Sequence, residues 1–194
     1  MILPREFYER DTITVAKSLL GQCVVRRDRG LEVSGMIVET EAYRGKADPA
    51  AHSYRGKSQR TVIMYGEKGF AYIYMIYGMY YCMNVTSGPK DEPEAILIRA
   101  LEPLKGLDIM AERRNSQNRL NLCSGPGKLC MAMDIDKRHY GLDLTASDVI
   151  FIERGCDIAD SKIEASRRIN IDYAGEAKDY LWRFTIAGNP FVSK

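Results

Sequence analysis

The chain has 194 residues, 45% of them hydrophobic, with 16 Gly and 7 Pro, a profile that excludes collagen-like, low-complexity and disordered chains. Its 28 Lys+Arg and 26 Asp+Glu give a formal net charge of +2, yet residues 44–68 and 113–138 each hold six basic residues against two acidic ones. These segments carry +8 between them and would give one basic face if they fold together. Five cysteines (Cys23, Cys82, Cys123, Cys130 and Cys156) form an odd set with no two-residue spacing, and His52 and His139 are the only histidines to join them. That argues against a zinc site and against a disulfide framework.

In chain order, the start MILPREFYERD meets charge by its fifth residue and lacks the apolar run of a signal peptide, so a reducing, intracellular protein is expected. Asp11 can cap a short helix on which Ile13, Ala16, Leu19 and Leu20 follow helical spacing, with Gly21 as its stop. Residues 22–27 then read as extended. The segment GMIVETEAY (35–43) reads as a strand whose parity puts Ile37, Glu39, Glu41 and Tyr43 on one face. Residues 44–69, rich in Gly and basic groups, read as a long surface loop of the kind that tends to be functional.

Between Lys68 and Lys90 the chain is uncharged, but five tyrosines, Gly78, Asn84 and Pro89 make it too polar and too broken for a membrane helix. The run AYIYMIYGMYYCMNV reads instead as a hairpin turning at Tyr77-Gly78, with Tyr72 and Tyr74 on one face. AILIRAL (95–101) is a further strand with one charge, Arg99, in an apolar run, which calls for a partner. Short helices are expected over 107–114 and 127–133, the second preceded by SGPG, and later strands over 149–153, 167–172 and 183–187. Strands outnumber helices without regular alternation. The expected fold is therefore α+β: one curved, mainly antiparallel and partly barrel-like sheet, short helices around it, a protruding β-hairpin, and a single domain spanning 1–194.

Six of the twelve tyrosines fall between 65 and 81, on segments able to converge with Glu41, Tyr43, His52 and Arg99. Aromatic walls beside one carboxylate suit a flat, cationic heterocycle. The blocks IVETEAYRGKADPAAH (37–52), YIYMIYGMYYCMNV (72–85), LIRALEP (97–103), SGPGKL (124–129) and NPFVS (189–193) together resemble the alkyladenine, or 3-methyladenine, DNA glycosylase family, in the family's order from about residue 19 onward.

That resemblance implies a monofunctional glycosylase of base excision repair. It would bind double-stranded DNA containing damaged purines and leave an abasic site. Glu41 matches the general base that activates water, with Arg99 holding water and carboxylate. Tyr43, His52 and Tyr74 match the groups that sandwich and hydrogen-bond the extruded base, and Asn84 the pocket-floor asparagine that disfavours guanine. Tyr77 matches the wedge that fills the gap in the duplex, with Met79 and Tyr80 packing beside it. Ser124, Gly125, Gly127 and Lys128 would present N–H groups and an ammonium to a phosphate.

Thr61 and Tyr65 stand where the family pattern leads one to expect Asn and Phe, which bears on loop conformation and substrate range. No metal, organic cofactor or membrane contact is implied, and a monomer is expected. The start close to the first matching block fits a bacterial, cytoplasmic, nucleoid-associated protein; a eukaryotic one would be nuclear. Two other classes compete. Glu39 and Glu41 on one face, roughly 7 Å apart, match the spacing of an inverting glycoside hydrolase, and basic loops with stacked tyrosines suit a binding module without chemistry.

Overall fold

A computed structural model describes residues 1–193. Eight strands are found among them: β1 (Cys23–Asp28), β2 (Leu31–Tyr43), β3 (Ala71–Ile76), β4 (Tyr80–Ser87), β5 (Glu94–Lys105), β6 (Ile150–Glu153), β7 (Ile163–Ser166) and β8 (Arg183–Ile186). All pair antiparallel in one open sheet with the path β3-β4-β5-β2-β1-β6. The helices are short, α1 (Arg5–Tyr8), α2 (Thr12–Ser18), α3 (Leu107–Arg114) and α4 (Pro126–Met133), and none is long and apolar enough to cross a membrane. This is the α+β class expected from the sequence.

The organising element is β2. Its 13 residues carry β5 along one edge, while the other edge is shared: residues 31–36 pair with β1 and residues 39–41 with β8. The strand lacks a clean polar/apolar alternation because both of its faces are covered, so even Glu39, Thr40 and Glu41 are buried. Asp11 caps α2 by accepting from the Thr14 N–H, and Thr40 Oγ1 donates to Ala16 O, pinning α2 onto β2. At Gly21, φ is +84° and a Cβ would come within 2.2 Å of Cys156 O, so only glycine fits. From α4, Leu129, Cys130, Ala132 and Met133 join the main core with Met83, Val85, Ile96 and Ile98 of β4 and β5.

Two expectations are corrected. Residues 167–172 do not form a strand: the strand lies just before them, at β7, and pairs with β8. Arg168 turns inward and Asn170 has φ +60°, so the backbone leaves the ladder there. Residues 44–69 are also not merely a surface loop. Asp48, Ser53, Thr61, Met64 and Lys68 are all buried, and Lys68 Nζ donates to Met64 O (3.0 Å) and Glu92 O (2.6 Å), so the segment is packed and internally wired.

Candidate active site

The pairing of β2 with β5 slips three times, between Ser34 and Gly35, between Ile37 and Glu39 and between Glu39 and Thr40, and the last two slips leave Val38 and Arg99 skipped by the register. Such irregularities re-aim side chains. Arg99 is aimed between two carboxylates: its Nε donates to Glu39 Oε1 at 3.0 Å, and its Nη1 lies 3.4 Å from Glu41 Oε1. Burial opposes the guanidinium charge, but Glu41 and Glu39 outweigh it and raise its pKa. Glu41 Oε1 also accepts from the Ile169 N–H (2.8 Å), and Oε2 accepts from the Tyr43 hydroxyl (2.8 Å). Each oxygen keeps acceptor capacity, and neither is open to bulk solvent.

Over this pair lies a cavity of about 570 Å³. Tyr43, Tyr72, Tyr74 and His52 form its aromatic walls, Asn84, Leu97 and Arg99 line it further in, and Glu41 lies just beneath. Burial, reinforced by Glu41, pushes the Tyr43 phenol well above its ordinary pKa, so it stays a donor. His52 stands edge-on to Tyr74 (centroids 4.6 Å, 83°). Arg60 Nη2, which can only donate, lies 3.3 Å from His52 Nε2, so Nδ1 carries the proton and donates to Tyr72 Oη at 2.8 Å. Crowding by these neighbours, then the Arg60 charge, lowers the His52 pKa to about 4 although the ring is open on the cavity side. The imidazole is therefore neutral at neutral pH.

Asn84 Nδ2 donates to Tyr72 O at 2.9 Å, which fixes the amide at the cavity wall. Tyr43 and Tyr74 each face an arginine. Arg168 lies 4.7 Å from the Tyr43 ring centre and Arg60 4.6 Å from that of Tyr74, so a charged base would share these rings with resident cations. Arg168 is also the bolt of the site. Fully buried, it grips both Asp48 oxygens (2.5 and 2.9 Å) and donates to Ala42 O and Ala177 O. It thereby ties the segment carrying His52 to the one carrying Ile169.

At the rim the hairpin turns through Tyr77 (φ +52°) and Gly78 (φ +69°), closed by Met79 N–H to Ile76 O. Tyr77 is 78% exposed and Met79 64%. Tyr77 and Tyr80 line the cavity mouth, whereas Met79 does not. Tyr80 packs on Gly127, where a Cβ would meet it at 3.1 Å. Ser124, Gly125, Gly127 and Lys128 line the same mouth, and Lys128 Nζ is held by Asn121 Oδ1 at 2.5 Å. Arg60 from the first basic segment and Arg114 and Lys128 from the second line the same cavity, so each segment contributes positive charge to it. Thr61 closes its own loop, accepting from the Ser58 N–H and donating to Gly56 O. The Lys57 ammonium lies 5.7 Å over the Tyr65 ring.

Sequence alone does not single out several of these groups. Arg168 and the Ile169 N–H fall in a segment whose composition reads as an ordinary strand, Tyr72 reads only as a neighbour of Tyr74, and Ser193 belongs to the NPFVS block with no role of its own. Glu39 reads only as the second acid of a glycoside hydrolase, and its side chain argues against that use. It is wholly buried and accepts from Arg99 Nε, Arg183 Nε, Ser193 N and Ser193 Oγ, and it does not line the cavity.

The site thus joins an aromatic cavity lined by Arg60, Arg114 and Lys128 to a buried carboxylate–guanidinium pair. A family model described as methylpurine-DNA glycosylase (MPG) matches residues 6–190. The chain is 50% identical to a protein of Clostridium acetobutylicum, over 100% of this chain and 98% of that protein. It is 49% identical to one of Clostridium novyi, over 99% and 98%, and 49% identical to one of Bacillus cereus, over the whole of both. Each of the three bears the name "Putative 3-methyladenine DNA glycosylase". The protein is a DNA glycosylase, a hydrolase in the repair of alkylated bases. It belongs to the methylpurine-DNA glycosylase family.

Proposed function

We propose that the chain acts as a monofunctional glycosylase on duplex DNA: it flips an alkylated or deaminated purine into the tyrosine cavity and hydrolyses the N-glycosidic bond, leaving an abasic site. The substrate class comprises 3-methyladenine, 7-methylguanine, hypoxanthine and ethenoadenine; the names of the relatives support the first. The observation that carries the reading is the buried Glu41 carboxylate, oriented by Tyr43, Ile169 and Arg99 beneath an aromatic cavity.

Departure of the base builds positive charge on the sugar. Glu41 takes a proton from the attacking water and its negative charge stabilises that cation, while Arg99 holds carboxylate and water in line. Tyr43, His52 and Tyr74 sandwich and hydrogen-bond the extruded base, and Asn84 fills the floor against the guanine amino group. Tyr77 takes the vacated place in the duplex, with Met79 and Tyr80 beside it. Backbone N–H groups of 124–127 and the Lys128 ammonium contact a phosphate.

The chain works as one domain and as a monomer, without metal or organic cofactor, in the cytoplasm at the nucleoid; the bacterial relatives support that placement. Strand scission by an amine would need a free lysine in the cavity, and Lys128 is engaged with Asn121. Single-turnover incubation with duplexes bearing one hypoxanthine or one ethenoadenine tests the reading. Parent protein should produce abasic sites that break only on alkali, and Glu41→Gln should lose about 10²- to 10⁴-fold in rate. Strand breaks before alkali, or an active Glu41→Gln, would contradict it.

A further inference from the structure

Beside the Glu41–Arg99 pair lies a second, deeper cluster to which the proposed mechanism gives no part. Glu39 is wholly buried and sits between two guanidiniums, Arg99 Nε at 3.0 Å and Arg183 Nε at 2.6 Å. Residue 193 supplies two further donors: its hydroxyl to the same Oε1 at 2.9 Å and its backbone N–H to Oε2 at 2.7 Å. The Ser193 hydroxyl is also 3.5 Å from Arg99 Nη2, and Arg183 Nη2 is 3.5 Å from Ser193 O. Two carboxylates and two guanidiniums thus alternate, Glu41–Arg99–Glu39–Arg183, as a row closed at one side by the segment carrying Ser193.

We infer that Glu39 is a positioning residue for Arg99 and that the C-terminal segment, through Ser193, completes the active site. The inference rests on the reading of Glu41 and Arg99 as the water-activating pair. A guanidinium is a rigid fork with two distinct edges. The edge carrying Nε and Nη2 is spent on Glu39 and Ser193, which leaves Nη1 as the nitrogen that faces Glu41. With the Glu39 charge removed, nothing fixes that edge. Arg99 is then free to rotate toward Glu41 alone, closing on the carboxylate that must hold water. Ser193 lines the cavity as well, so chain release at residue 193 would loosen Arg99 and open one wall together. Glu39 touches no base or sugar in this scheme and acts only through Arg99.

The test uses the full chain. Single-turnover base release from a hypoxanthine duplex and equilibrium binding to a duplex with an abasic analogue are measured for parent, Glu39→Gln, Ser193→Ala, Glu41→Gln, Arg99→Ala and the double variant Arg99→Ala/Glu39→Gln. Misplacing one group in a reacting set costs on the order of 10²-fold, so Glu39→Gln should lose about 10- to 100-fold in rate with unchanged binding, and Ser193→Ala less. In the Arg99→Ala background, Glu39→Gln should add almost nothing, because the two act as one unit.

Full activity of Glu39→Gln alongside an inactive Glu41→Gln would overturn the inference and leave the catalytic reading standing. Fully additive losses in the double variant would assign Glu39 to general stability and also overturn it. An active Glu41→Gln would remove the reading beneath it and the inference together. Should Glu39→Gln fail to fold, Ser193→Ala and Arg99→Ala/Ser193→Ala carry the same comparison.

Discussion

His52 shows how a single side chain is tuned by its neighbours. An imidazole with an unperturbed pKa would change charge inside the working pH range, and a cation on the cavity wall would then come and go. Here crowding by the tyrosines and the Arg60 guanidinium hold it near 4. The folded value lies below the unfolded one, about 6.5. The unfolded chain therefore takes the proton first, and what this group contributes to stability is whole above about 6.5 and declines as pH falls toward 4. A titration of the His52 ring protons by NMR should show a midpoint near 4, and Arg60→Gln should move it upward. A midpoint at the ordinary histidine value would contradict the arrangement.

At the scale of elements, the β3–β4 hairpin sets function against stability. Tyr77 is a bulky residue at φ +52° with 78% of its surface in solvent, a conformation and an exposure that each work against folding. Left-handed backbone costs an ordinary residue about 1–2 kcal/mol, and asparagine tolerates it better. Tyr77→Asn should keep or raise the thermal midpoint while lowering base release at least tenfold, since in the proposed wedge role the ring offsets unstacking of a few kcal/mol. Loss of stability in step with activity would show that Tyr77 serves the fold.

This hairpin was legible in the sequence because turn chemistry and period-two alternation are local. So were α2 with its Asp11 cap, α3, and the strand carrying Glu41. Residues 167–171 were not: Arg-Arg-Ile-Asn-Ile has strand-like composition, and what overrides it is tertiary, the demand of Asp48 for Arg168 and of Glu41 for the Ile169 N–H. The residues assigned by resemblance surround one cavity, apart from Met79 at the rim and Glu41 beneath it. Of the groups that hold them, Glu39 shares a strand face with Glu41, but Arg168 and Ser193 come from distant segments that no spacing rule connects.

For the molecule as a whole, the site is held by charges drawn into the interior rather than by surface contacts. Arg168 and Asp48, 120 residues apart, close the 44–53 segment over the segment that follows β7. Removing one partner strands the other's charge in the interior. Arg168→Met should therefore cost about 3–5 kcal/mol in urea unfolding, because Asp48 remains buried. A loss below about 1 kcal/mol, the size of an exposed ion pair, would show that the pair does not organise the fold.

In the proposed mechanism the Glu41 carboxylate beneath the tyrosine cavity activates the water that releases the base. Its sharpest test is the single-turnover rate on a hypoxanthine duplex for parent and Glu41→Gln, with binding to an abasic-analogue duplex measured in parallel. Unchanged binding and a rate lower by about 10²- to 10⁴-fold are expected. Equal rates for the two proteins would rule out that role for Glu41.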